Sequence, residues 1–113
     1  MSEPCLFCRI IAGEIPATIV QETEECIAFR DITPRAPTHV LVVPRTHVDS
    51  LDKARDAGVL GAVLLTAAEV ARQEGIASEG YRTVINTNAG AGQTVFHLHA
   101  HVLGGRALTW PPG

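Results

Sequence analysis

No stretch of this sequence approaches the roughly 18 consecutive apolar residues that cross a bilayer as a helix, so a membrane protein is not expected. Basic charge is not in excess either. The net charge is −3 with histidine neutral, which gives no reason to expect electrostatic capture of nucleic acid or of a membrane surface. The opening Met1-Ser2-Glu3-Pro4-Cys5 lacks the basic segment and apolar stretch of a secretory signal, and a cytoplasmic protein is the expectation. Cysteine is scarce, and its three copies, Cys5, Cys8 and Cys26, fit metal ligation or free thiols better than a disulfide framework. Repeats, linkers and low-complexity tracts are absent. What remains, 113 residues of which 46% are hydrophobic, suits one domain with a real core, spanning 1–113.

The pattern of apolar residues predicts an α+β domain. Cys5 to Ala12, ended by Gly13, reads as a short helix with Phe7, Ile10 and Ile11 on one side. Residues 18–22 and 26–30 flank a polar link and predict a β-hairpin, and residues 31–38 form a loop held by Pro34 and Pro37. The run His39-Val40-Leu41-Val42-Val43 predicts a central strand covered on both faces, ended by Pro44. Between Ser50 and Gly75, Leu60, Val63, Leu64, Ala67, Val70 and Ala71 recur at helical spacing, with Asp56 as a candidate start and Gly75 as a candidate end. Residues 81–86 predict a further strand. The sum is about five mostly antiparallel strands with one principal helix.

Three of the five histidines stand at every second position in Val95-Phe96-His97-Leu98-His99-Ala100-His101-Val102-Leu103. This alternation predicts a strand with Phe96, Leu98, Ala100 and Val102 toward the core and the histidines in a row on the other face. Neighbouring members of the row would be roughly 6.6 Å apart at Cα, too far for all three to share one metal ion. Separate tasks fit better, because imidazole is both a nucleophile and a proton carrier near neutral pH. The loop before the row, Asn88-Ala89-Gly90-Ala91-Gly92-Gln93, is either a plain turn or a backbone cradle for an anion. With Gln93, Thr94 and the histidines next to it, a phosphate site is the better reading. The chemistry expected is attack on phosphorus by a neutral imidazole, giving a phospho-histidine that water resolves.

The segment His97-Leu98-His99-Ala100-His101-Val102-Leu103 resembles the motif of the histidine triad (HIT) family of nucleotide-binding hydrolases and transferases. The likeness runs through Gly13-Glu14-Ile15-Pro16, Phe29-Arg30-Asp31-Ile32-Thr33-Pro34, the strand Pro37-Thr38-His39 to Pro44, and Gly92-Gln93-Thr94. The ending Trp110-Pro111-Pro112-Gly113 is similar to the Hint branch of small nucleoside phosphoramidases. The resemblance implies a HIT-like fold and an enzyme that hydrolyses the P–N bond of purine nucleoside 5′-phosphoramidates. His99 would be the nucleophile, His101 the phosphate contact and proton carrier, and His39 a member of the relay that orients the nucleophile. Asp31 would bind the ribose hydroxyls, with a turn-forming role as its rival. Phe7, Ile10, Ile15, Phe29 and Ile32 would wall the base pocket, although plain core is an equal reading for Phe7, Ile10 and Phe29. Asn86, Gly92, Gln93 and Thr94 would border the phosphate. Asn88 stands where the family commonly has glycine, and asparagine tolerates a left-handed backbone better than most residues.

Cys5 and Cys8, at C-x-x-C spacing, suit half of a tetrahedral zinc site; a redox pair and two free thiols are the alternatives. The resemblance implies His47 and His97 as the remaining ligands of a structural zinc, with no cofactor required for the chemistry. It also implies a homodimer, in which the tail, residues 104–113, carries Trp110 toward the partner's substrate pocket. Two other functions stay open: a dinucleotide polyphosphate hydrolase or nucleotidyl transferase of the same superfamily, and a zinc-stabilised nucleotide-binding regulatory module.

Overall fold

The structure is a computed structural model that describes residues 5–113; the reading of the first four residues lies outside that range. Its elements are α1 (Leu6–Ile11), β1 (Ile19–Glu22), β2 (Cys26–Arg30), β3 (Thr38–Pro44), α2 (Ala57–Gln73), β4 (Arg82–Val84) and β5 (Ala100–Gly104). The strands form one sheet in the order β1-β2-β3-β5-β4, and every neighbouring pair is antiparallel. The α+β class, the five strands and the principal helix are as the sequence predicts.

The unbroken apolar run of β3 is explained by what covers it. On one face Val40 and Val42 join Ala100 and Val102 of β5 against Val63, Ala67, Val70 and Ala71 of α2. On the other, Leu41 and Val43 join Ile27, Phe29 and Phe7 of α1. Each fully buried side chain of this kind stabilises the fold by about 1.5–3 kcal/mol. His39 shares the α1 side with Leu41, and the register that sets Leu41 opposite His101 makes His39 and His101 diagonal neighbours on that side.

Both helices stop where glycine lets them. After α2, Gly75 adopts φ +76°, and Gly75 N–H and Ile76 N–H donate to the carbonyls of Arg72 and Ala71. This turn drives Ile76 into the core, over β5. At the other end Asp56 Oδ1 accepts from Gly58 N–H at 2.8 Å, so Gly58 and Gly61 do not delay the helix.

Three expectations need correction. The histidine strand is shorter than the alternation suggests: β5 begins at Ala100, and residues 95–99 are irregular. Leu98 N–H bonds to the Val48 carbonyl in a loop, and Phe96, expected in the core, is 45% exposed. The strand expected over 81–86 keeps only Arg82–Val84, because β5 offers it just three paired positions. The tail expected from 104 starts one residue later, since Gly104 closes β5.

Gly104 is needed for space. A Cβ there would stand 2.6 Å from Ile76 Cδ1 and 3.0 Å from Ile76 Cβ. Gly104→Ala is expected to cost about 1–3 kcal/mol through overpacking. Urea unfolding measures it, and an unchanged midpoint would show that Ile76 yields freely.

Candidate active site

The histidines divide into three tasks once their ring nitrogens are assigned from their partners. His97 is fully buried, and its Nε2–H donates to the Pro44 carbonyl at 2.8 Å. Its Nδ1 therefore carries a lone pair, and it lies 3.3 Å from Cys5 Sγ and 3.5 Å from Cys8 Sγ. His99 Nδ1–H donates to the backbone carbonyl of His97 at 2.8 Å, which leaves the lone pair on Nε2. His39 Nδ1 accepts the Arg35 backbone N–H at 3.0 Å, so its proton sits on Nε2 and points to His101 Nδ1 at 2.9 Å. His101 must then hold its own proton on Nε2. Two backbone groups thus set three tautomers: a bare nitrogen on His99 and an N–H on His101, with ring centroids 5.0 Å apart.

Burial keeps these rings neutral. It pushes the pKa of His97, His99 and His39 below the ordinary histidine value. His101 is pushed down to about 4, by burial first and then by the neighbouring His99 and His39, against the opposing pull of Asp31. A neutral imidazole is the form that attacks phosphorus.

His99, His101, Asp31 and Thr94 line a cleft of about 390 Å³. Phe7, Ile10, Ile15, Phe29 and Ile32 are among its apolar walls. Phe7 and Phe29 are also core, each 4% exposed and in edge contact at 5.5 Å, so both sequence readings hold for them at once. Phe7 further packs its edge against His99, with centroids 5.0 Å apart. Ile32 projects at the rim, 97% exposed. A second, polar cleft of about 350 Å³ shares Asp31 and His101 and adds Arg35, His39 and Asn86.

Several expected roles are refined or changed. His39 touches His101 and not His99, so its place in the expected relay is one ring removed from His99, whose own ring is oriented by the His97 carbonyl. Gln93 is 4% exposed, and its amide is spent on the chain: Oε1 accepts from Asn88 N–H, and Nε2 donates to the carbonyls of Asp49 and Val95. It frames the loop and has no free group for a phosphate. Asp31 uses Oδ1 to accept Thr33 N–H at 2.8 Å, the turn role, while Oδ2 lies 3.4 Å from His39 Nε2. Gly92, at φ +91°, lines neither cleft. Trp110, expected at a partner's pocket, is 80% exposed in the single chain. Asn88 has φ +70° as anticipated, but ψ 170° puts it in a region that belongs to glycine.

The four expected metal ligands come together. Cys5 Sγ, Cys8 Sγ, His47 Nδ1 and His97 Nδ1 all lie within 4.8 Å of one another, and Cys8 Sγ is 3.4 Å from His47 Nδ1. A tetrahedral zinc ion with bonds near 2.3 Å to sulfur and 2.0–2.1 Å to nitrogen spaces its ligands by about 3.4–3.8 Å. Both imidazoles turn a bare Nδ1 inward, because Asp49 Oδ1 takes the His47 Nε2–H at 2.7 Å and Pro44 takes that of His97. The residues fit the ion. Cys26 is wholly buried in the core, as expected.

Sequence reading missed Arg35, Asp49 and the carbonyls of Pro44 and His97. Asp49 left a signal in the spacing His47-x-Asp49. Backbone carbonyls leave none.

A family model described as HIT domain matches residues 12–108. The chain is 48% identical to the 14 kDa zinc-binding protein of Zea mays, over 97% of this chain and 88% of that protein. It is 47% identical to the adenylylsulfatase HINT1 of Arabidopsis thaliana, over 97% of this chain and 77% of that protein. Among solved structures it is similar to the HIT family hydrolase from Legionella pneumophila Philadelphia 1, with a TM-score of 0.94, 49% identity, and coverage of 97% of this chain and 100% of that one.

Zinc at about 100 times its dissociation constant should stabilise the fold by about 2.7 kcal/mol. Thermal unfolding with and without the metal reads this, and Cys8→Ser should abolish the shift. No shift in the unmutated protein would refute the site.

Proposed function

This chain belongs to the histidine triad family, and on that premise we propose that it hydrolyses the P–N bond of purine nucleoside 5′-phosphoramidates through a nucleotidylated His99. The observation that carries the reading is the bare Nε2 of His99, oriented by the His97 carbonyl, in a mostly apolar cleft that also holds His101, Asp31 and Thr94. Apolar walls with a few polar groups suit a flat base joined to a phosphate. In the first step His99 Nε2 bonds to the α-phosphorus. The P–N bond breaks, and its electron pair leaves with the nitrogen, which takes up a proton. In this reading the proton comes from His101 Nε2–H, and His39 Nε2–H, bonded to the other nitrogen of that ring, steadies the negative charge left on it. In the second step water attacks phosphorus, the bond to His99 breaks with its electron pair returning to Nε2, and a proton of that water restores His101 Nε2–H. The sum consumes one water and yields nucleoside monophosphate and amine.

Asp31 accepts from the ribose hydroxyls on the lone pairs that the turn leaves free, and Thr94 and Asn86 border the phosphate. Zinc, where bound, ties α1 to the sheet and takes no part in bond breaking. Adenylyl sulfate is a second substrate class, favoured by the relative named an adenylylsulfatase.

The protein acts as a homodimer. β4 is an edge strand, and Leu64 and Leu65 on α2 stand 50% and 73% exposed, a combination that a partner's surface would cover. Trp110 would then reach the partner's cleft. No described helix is long and apolar enough to cross a membrane.

Incubation with an adenosine phosphoramidate should give a transient AMP adduct on His99 by mass spectrometry. His99→Ala should lose at least about 10³-fold in turnover, and His101→Ala about 10²–10⁴-fold. Undiminished turnover in His99→Ala would sink the mechanism. Light scattering should give twice the chain mass at micromolar concentration; a monomer would end the dimer proposal.

A further inference from the structure

Asp31, Asn86 and His101 of the polar cleft have roles at the ribose, the phosphate and the departing nitrogen, whereas Arg35, which lines the same cleft, has none in the reaction as far as it has been described. The cleft opens on the ring that faces the departing nitrogen. The apolar cleft touches both His99 and His101, whereas the polar one touches His101 alone. In a displacement at phosphorus the attacking and leaving atoms lie roughly in line. A group that departs opposite His99 and takes its proton from His101 therefore moves toward the polar cleft.

Arg35 is unlike the other arginines. The guanidinium groups of Arg9, Arg30, Arg45 and Arg72 pair with carboxylates, and those of Arg55, Arg82 and Arg106 donate to backbone carbonyls. That of Arg35 has no such partner among the described residues. Its backbone is nevertheless held at both ends, the N–H by His39 Nδ1 and the carbonyl by Arg106 Nη2 at 2.8 Å. The side chain is thus presented to the cleft from a fixed point, with its hydrogen-bonding capacity unspent. The one carboxylate lining the cleft, Asp31, is held on the side of Thr33 and His39 by the Thr33 N–H at 2.8 Å and a 3.4 Å approach to His39 Nε2, and it leaves Arg35 without a carboxylate partner.

We infer that the polar cleft is a leaving-group subsite and that Arg35 selects leaving groups bearing a carboxylate or another anion. This rests on the phosphoramidase reading. A guanidinium suits the task because its planar fork matches a carboxylate bidentately. Replacing the side chain leaves both backbone anchors in place, so variants at this position should fold.

The test compares two adenosine phosphoramidates, one of glycine and one of glycinamide. The ratio of their kcat/KM values, carboxylate over amide, is read in the wild type, Arg35→Gln, Arg35→Lys and Arg35→Glu. Differences in amine basicity cancel when the ratio is compared between variants. Arg35→Gln should lower the ratio by about 2–5-fold, which is the reach of one exposed charge pair. Arg35→Glu should lower it further, Arg35→Lys should keep most of it, and added salt should narrow the gap only where position 35 is charged. A ratio that moves less than twofold in Arg35→Glu overturns the inference. Wild-type protein that turns over neither substrate overturns the phosphoramidase reading itself, and the inference falls with it.

Discussion

The structure turns on the burial of His97. One fully buried residue satisfies the Pro44 carbonyl with Nε2–H, faces the two N-terminal thiols with Nδ1, and accepts the His99 Nδ1–H on its own carbonyl. An unpaired polar group in that position would cost about 1–3 kcal/mol, so each of the three contacts enforces the others. The attachment of α1 to the sheet and the tautomer of the nucleophile therefore depend on the same side chain and its peptide group. A disturbance among Cys5, Cys8, His47 and His97 would reach His99 through a single hydrogen bond.

Burial also sets the protonation of the site. Four imidazoles in close succession would repel one another if charged, and the low polarity around them makes that form costlier still. The pKa of His101 falls furthest, to about 4, because its burial adds to its position between His99 and His39. Protons are accordingly distributed by hydrogen-bond direction. The Arg35 N–H starts one chain, through His39 to His101, and the His97 carbonyl ends the other, at His99. The result is a lone pair and an N–H side by side, the pairing that a displacement at phosphorus uses at its two ends.

His39 enters the expected relay through His101. The β3–β5 register, with Leu41 opposite His101, makes His39 a diagonal neighbour of His101 whatever path residues 95–99 take. Residues 95–99 leave the sheet, and the His99 ring bonds to its own chain's His97 carbonyl. Gln93 is likewise held by backbone groups. In sequence it stands beside the residues expected at the phosphate, yet its amide is taken up by the Asn88 N–H and the Val95 carbonyl of its own loop and by the Asp49 carbonyl from 44 residues away.

Periodicity and end signals in the sequence determined the hairpin, the doubly covered β3, α2 from Asp56 to Gly75, and the identity of the histidines and cysteines that matter. These are local or short-range properties, dictated by side-chain period, capping and backbone freedom. The family resemblance also named Cys5, Cys8, His47 and His97, whose thiols and rings meet in the structure, and His99, the proposed nucleophile. Which imidazole holds which proton, which carbonyl orients it, and which arginine is left unpaired were decided only by the tertiary structure. The Pro44 carbonyl meets His97 from 53 residues away and His39 meets His101 from 62, while the Arg35 N–H and the His97 carbonyl act over 4 and 2 residues, in directions set by how the chain turns there. A carbonyl has no letter in the sequence, so its direction exists only once the chain has folded.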